Sequence, residues 1–279
     1  MRLGSVTCEN HTGSHQMVYR EWGDKENARV LICVHGLTRN SMDFYDLAES
    51  LSESYRVICP DIVGRGQSDW LPEGTPYELG QYIKDLNSII AKLQLSKVDW
   101  LGTSMGGILG MIMASVPDTP IKRLVLNDVG CYVKAEALQR IQGYIGVTEY
   151  KDIQEVETAV RNSFLSYADL TDEQWLRLAE CSVREISGGF TQHYDPEIVK
   201  AFSAGVLSDI DLTPWFSAIK IPMMLIYGGE SDIVSEEVLK ESLNLQPSMN
   251  CVRVPNAPHA PALMEPDQIN AIKRWLVTD

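Results

Sequence analysis

The stretch Val98-Asp99-Trp100-Leu101-Gly102-Thr103-Ser104-Met105-Gly106-Gly107 decides the fold. Val98–Leu101 is short, largely apolar and closed by a glycine, the pattern of a strand buried on both faces. Met105 to Ser115 follows a helical pattern, so Ser104 stands at the bend between strand and helix. A serine there holds its hydroxyl above the end of the sheet in a strained conformation. Residues two before and two after it must then lack side chains or collide. Gly102 and Gly106 satisfy that requirement. The first helical turn also aims free N–H groups at charge developing beside the hydroxyl. The competing reading is a glycine-rich packing turn; the strand before and the helix after favour a nucleophilic serine.

Outward from this turn, short apolar or β-branched runs alternate with longer amphipathic ones. Val30–Val34, Tyr55–Cys59, Val98–Leu101, Ile121–Leu126, Met223–Tyr227 and Asn250–Val254 read as strands. Asp43–Glu53, Leu79–Leu93, Met105–Ser115, Ser235–Leu243 and Pro266–Val277 read as helices. This alternation predicts an α/β protein with a mainly parallel sheet covered by helices on both sides. Gln16–Trp22 alternates polar and apolar residues and is expected to form an antiparallel edge. The rhythm stops after Val129. From Tyr132 to Asp211 there are four helical patterns and no convincing strand. That block holds seven basic and fourteen acidic residues, half of the chain's net charge of −14. The expected division is a core of residues 1–131 and 212–279 with a helical cap, or lid, of residues 132–211 inserted between two strands.

Composition narrows the function classes. Apolar residues make up 44% and charged residues 22% of the 279, ordinary values for a globular protein. The acidic balance speaks against nucleic acid, which needs clustered Lys and Arg, and against docking on anionic membranes. No apolar run approaches the ~20 residues of a spanning helix, and Met1–Cys8 has no apolar signal region. The six cysteines are scattered without a CxxC pair, so neither a disulfide framework nor a zinc site is expected. A reduced, cytoplasmic setting follows. No HExxH cluster suggests a metal, and no cofactor is expected.

The glycine-flanked serine and its setting resemble the α/β-hydrolase family, over essentially the whole chain. That resemblance implies the order nucleophile, acid, histidine, with the histidine near the C-terminus. Of five histidines, His11, His15 and His35 precede Ser104 and His193 falls in the cap, which leaves His259 as general base. Asp232, after the strand Met223–Tyr227, matches the usual place of the acid. Asp128, after Ile121–Leu126, is the alternative, since some members carry the acid there. His35-Gly36-Leu37 resembles the oxyanion-hole segment, with the backbone N–H groups of Leu37 and Met105 as donors. Asp61-Ile62-Val63-Gly64-Arg65-Gly66-Gln67-Ser68-Asp69 is similar to a structural loop flooring the site. As a dinucleotide fingerprint it fails, because Asp69 stands where a third glycine is required.

The family resemblance implies a carboxylesterase acting on small or medium acyl esters, with a small-molecule substrate as its expected partner. Phe164, Leu165, Trp175 and Phe202 are candidates to wall an apolar acyl pocket, although helical spacing first suggests cap core. The alternative is a carbon–carbon bond hydrolase of ring-fission products, in which Arg161, Arg177 or Arg184 would bind an acidic substrate. Such enzymes usually carry a tryptophan after the histidine; here Ala260 follows. A hydrolase-fold ligand receptor is the reading from another class. No oligomeric state follows from the sequence.

Overall fold

The computed structural model describes residues 1–163, 170–202 and 208–277. The chain opens with a hairpin, β1 (Arg2–Asn10) and β2 (Gly13–Trp22), followed by β3 (Val30–Val34), α1 (Tyr45–Leu51), β4 (Arg56–Pro60), α2 (Leu79–Lys92), β5 (Val98–Thr103), α3 (Met105–Ala114) and β6 (Ile121–Asn127). The 132–211 segment carries β7 (Tyr132–Val133), α4 (Ala135–Tyr144), β8 (Glu149–Tyr150), α5 (Ile153–Ser163), α6 (Asp172–Cys181), β9 (Val183–Ile186), β10 (Gly189–Gln192) and β11 (Ile210–Asp211). The chain closes with α7 (Thr213–Ala218), β12 (Met223–Gly228), α8 (Glu236–Leu245), β13 (Asn250–Val254) and α9 (Pro266–Val277).

Eight strands form one sheet in the order β1-β2-β4-β3-β5-β6-β12-β13. From β4 to β13 the neighbours run parallel, while β1, β2 and β4 pair antiparallel. The two-residue side-chain period explains the apolar runs, because each strand feeds two cores. Val30, Ile32 and Val34 of β3 enter one core, and Leu31 and Cys33 enter the other. Leu86 and Ile89 of α2 and Leu109 and Met111 of α3 cover the first face. Leu47 and Leu51 of α1 and Ile272 and Leu276 of α9 cover the second. Among the described residues no helix is long and apolar enough to cross a membrane.

Two expectations change. The strand read at Gln16–Trp22 is not the edge, because β1 lies outside it in a nine-residue antiparallel register. Only Val6 and Cys8 of β1 are buried, so its polar sequence concealed it. The 132–211 segment is not purely helical either. β8, β10 and β9 form a small antiparallel sheet, and β7 pairs with β11 where the segment leaves and rejoins the main sheet. These strands are two to four residues long, too short for a period-2 pattern to stand out.

Candidate active site

Strand β5 delivers Ser104 to the carboxyl edge of the sheet with φ of 50° and ψ of −113°, a conformation that costs energy for a residue with a side chain. The neighbouring glycines make it possible. A Cβ on Gly102 would stand 2.1 Å from the Gly106 carbonyl oxygen, and one on Gly106 would stand 2.0 Å from that of Val34. The Ser104 N–H donates to the Asn127 carbonyl of β6 at 2.9 Å, which ties the bend to the next strand.

His259 lies in the loop between β13 and α9. Its Nε2 is 2.9 Å from Ser104 Oγ and its Nδ1 is 2.6 Å from Asp128 Oδ2. An ionised carboxylate only accepts, so Nδ1 carries the proton and Nε2 is left to accept from the serine. Asp128 directly follows β6 at a φ of 59° and is fully buried. The Gly228 N–H donates to its Oδ1 at 2.8 Å, and the Ser231 hydroxyl donates to its Oδ2 at 2.6 Å.

The structure thus brings Asp128, and not Asp232, to His259. The reason lies in the turn after β12. Ser231 points inward and also accepts the N–H groups of Ile233 and Val234. Its neighbour Asp232 therefore faces outward, where Arg140 of α4 holds it through two hydrogen bonds of 2.5 and 2.9 Å. Ser231 was not among the candidates from sequence. A serine beside an aspartate in a turn carries no signal until the adjacent strand end is known.

The N–H groups of Leu37 and Met105 have no protein acceptor among the described residues. Three side chains brace the loop that carries Leu37. His35 donates from Nδ1 to the Gly36 carbonyl and accepts the Ile62 N–H at Nε2. Arg65 donates from Nε to the Leu37 carbonyl at 2.8 Å. His193, from the 132–211 segment, accepts the Gly66 N–H at Nδ1 and donates from Nε2 to the Thr38 carbonyl. Burial holds both imidazoles neutral, lowering the pKa of His35 to about 4 and that of His193 to about 3. The loop 61–69 lines neither of the cavities that reach Ser104 but packs against the loop that carries Leu37. Asp61 accepts from Arg20 and from the N–H groups of Ser41 and Gln67. Burial opposes its charge, yet Arg20 and these bonds keep its pKa below the ordinary carboxylate value.

Among the described residues two cavities reach Ser104. The larger, of about 510 Å³, has mostly apolar walls that include Tyr77, Met105, Ile108, Leu138 and Ile141, with Glu78 and Lys200 as its charged members. The smaller, of about 100 Å³, runs past His259 between Arg39, Asn127, Leu178 and Met264. Trp175 lines neither. It is buried in a separate cluster with Val156, Val160 and Leu178, which is the cap-core reading of its spacing. Phe164 and Leu165 lie outside the described residues, as does the side chain of Phe202. Away from the site, Cys8, His15 and Asp85 converge, with His15 Nε2 2.9 Å from Asp85 Oδ2. They are far apart in sequence, so no ligand spacing announced them.

A family model described as the alpha/beta hydrolase fold matches residues 29–266. The chain belongs to the α/β-hydrolase family. It is 38% identical to the 3-hydroxybutyrate-oligomer hydrolase of Cupriavidus necator, over 96% of this chain and 95% of that one. It is 26% identical to the 2-(acetamidomethylene)succinate hydrolase of Mesorhizobium japonicum, over 85% and 83%. The crystal structure of an alpha/beta hydrolase from Novosphingobium aromaticivorans matches with a TM-score of 0.87 at 33% identity, covering 98% of each chain. The α/β fold expected from the strand–helix alternation is therefore the fold of this hydrolase.

Proposed function

We propose that the chain is a serine hydrolase of small or medium carboxylic esters, with Ser104 as nucleophile, His259 as general base and Asp128 as the acid of the triad. The observation that carries this reading is the unbroken line of hydrogen bonds from Ser104 Oγ through His259 to Asp128. The ester class draws support from the 38% identical relative, because an oligomer of a hydroxy acid is held together by ester bonds. In this mechanism His259 takes the Ser104 proton as Oγ attacks the carbonyl carbon. The Leu37 and Met105 N–H groups stabilise the resulting oxyanion, each contributing ~3 kcal/mol in the transition state. His259 then returns the proton to the departing alcohol. Water, deprotonated by the same nitrogen, attacks the acyl-enzyme, and the acid leaves as Ser104 regains its proton.

Residues 132–211 act in this scheme as a cap. Leu138 and Ile141 supply wall to the larger cavity and Leu178 to the smaller. The six free cysteines, four of them buried, fit a reducing cytoplasmic setting. The carbon–carbon hydrolase reading is less well supported. Arg161 pairs with Glu157 and Asp172, Arg177 pairs with Asp46, and Arg184 stacks on Trp70. None of the three lines either cavity. The test is labelling of folded protein with a fluorophosphonate, followed by peptide mapping and turnover of p-nitrophenyl butyrate. An adduct on Ser104 with ester turnover is expected. Folded protein without an adduct sinks the proposal.

A further inference from the structure

The two cavities that open on Ser104 share little of their walls. Leu37 and Ser104 line both, Met105 lines the larger and not the smaller, and His259 lines the smaller and not the larger. A carbonyl carbon attacked by Ser104 Oγ, with its oxygen on the Leu37 and Met105 N–H groups, therefore stands where the cavities join. That carbon carries two further substituents, the acyl chain and the alcohol oxygen, and each needs a cavity. The chemistry tells them apart. When the tetrahedral intermediate collapses, the carbon–oxygen bond to the alcohol breaks, and that oxygen takes the proton that His259 Nε2 received from Ser104. A proton donor must lie within about 2.6–3.2 Å of the atom it protonates. The alcohol oxygen thus lies on the His259 side, and its chain continues into the smaller cavity. The larger cavity is left for the acyl chain.

The walls fit that division. The larger cavity, at about 510 Å³, falls within the ~300–1,000 Å³ of pockets that enclose a small organic molecule, and the smaller, at about 100 Å³, falls below it. Helix α6 fixes the smaller one, because core and cap are tied at both ends of it. Gln174 Nε2 donates to the Met264 carbonyl at 3.3 Å, and Asn40 Nδ2 donates to the Cys181 carbonyl at 2.5 Å. Leu178, between these ties, lines the cavity. The same space must later admit the water that attacks the acyl-enzyme, since His259 Nε2 deprotonates it. Water is held where a wall offers polar partners. The smaller cavity's wall includes Thr103 and the Arg39–Asp43 pair, whereas the larger is walled mostly by apolar side chains. We infer that the larger cavity is the acyl subsite and the smaller the alcohol subsite. The preferred substrates are then esters of medium-length apolar acids with short alcohols. Leu138 and Ile141 set the acyl length, and Leu178 sets the size of the alcohol. This rests on the ester-hydrolase reading and adds a direction to it.

Ethyl hexanoate and hexyl acetate are isomers with the same apolar content and opposite ester direction. Acid release from each by the native chain, followed by pH-stat below the solubility limits, gives the two kcat/KM values. Each methylene moved from water into an apolar cavity is worth about fourfold. Ethyl hexanoate is therefore expected to exceed hexyl acetate by at least about tenfold. In Ile141→Trp, which narrows the larger cavity, the ratio of ethyl hexanoate to ethyl acetate falls by about tenfold. The ratio of hexyl acetate to ethyl acetate does not follow it. Where that variant does not fold, Leu138→Trp reads the same wall from the adjacent turn of α4. Unchanged ratios in a folded variant overturn the acyl assignment, even if all three rates fall together. Equal turnover of the two isomers by the native chain, or faster turnover of hexyl acetate, also overturns it while leaving the hydrolase reading intact. Turnover of no ester, p-nitrophenyl butyrate included, overturns the ester reading and the assignment with it.

Discussion

Asp128 and Asp232 follow neighbouring strands, β6 and β12, and within a few residues of a strand end both are compatible with the same role. Their surroundings separate them. Asp128 is fully buried, and the Gly228 N–H, the Ser231 hydroxyl and His259 hold its carboxylate. The Asp232 side chain is 42% exposed and answers a cation on α4 that is exposed to a similar degree. A carboxylate works as an orienting group only when its partners hold it still and water does not compete. Fixed hydrogen bonds, more than proximity to a strand end, make one aspartate a candidate acid and the other a surface ion pair.

The largest effect expected from that contrast is in Asp128→Asn. An amide in place of the carboxylate presents a donor toward Nδ1, favours the wrong imidazole tautomer and removes the charge that would stabilise the imidazolium. A fall in kcat of roughly 10³- to 10⁴-fold follows from a tautomer error of this kind. Steady-state kinetics on a p-nitrophenyl ester reads it directly, and the rate of fluorophosphonate labelling should fall alongside. A variant retaining a tenth of native activity would break the comparison at its stronger end.

How much of this was legible in sequence depends on how local each determinant is. The bend at Ser104 is announced by Gly102, Gly106 and the adjoining strand and helix; a Cβ on Gly102 would meet Gly106 across the bend as the spacing predicts, whereas one on Gly106 would meet Val34 of the neighbouring β3. β3, β5 and β13 were legible because burial on both faces, or alternation, shows in five or six residues. The hydrogen bonds of Asp128 come instead from Gly228, Ser231 and His259, about a hundred residues or more downstream. Likewise His193 could be set aside as a base because it falls in the 132–211 segment, yet its grip on Thr38 and Gly66 depends on how that segment folds back.

His193 extends the comparison to the joint between the 132–211 segment and the sheet, where it is the buried counterpart of the exposed Arg140–Asp232 pair. Its imidazole stays neutral down to about pH 3 in the folded chain, whereas the unfolded chain protonates it near the ordinary value of about 6.5. The unfolded state therefore binds the extra proton as pH falls below about 6.5, and stability declines in that direction. Each such histidine contributes a slope of up to about 1.4 kcal/mol per pH unit. His35 behaves alike down to about pH 4. Urea unfolding of His193→Gln between pH 4.5 and 6 should show a slope shallower than native by about one proton, because the second titrating site remains. Parallel slopes for the two proteins would contradict the buried, neutral state of His193.

The smallest effect belongs to Asp232→Asn, and its smallness is the informative part. Exposed ion pairs contribute ~0–1 kcal/mol, since water and salt screen both charges and the side chains lose freedom on pairing. Arg140 and Asp232 are each more than two-fifths exposed, so loss of the charge should lower stability by no more than about 0.5 kcal/mol. Activity should stay within about threefold of native, because Ser231 rather than Asp232 reaches the buried carboxylate. Raising the salt concentration should erase even the small difference in stability, whereas it should leave the Asp128→Asn defect untouched. A hundredfold loss of kcat in Asp232→Asn, with Asp128→Asn mild, would reverse the assignment and require the turn after β12 to swing inward during turnover.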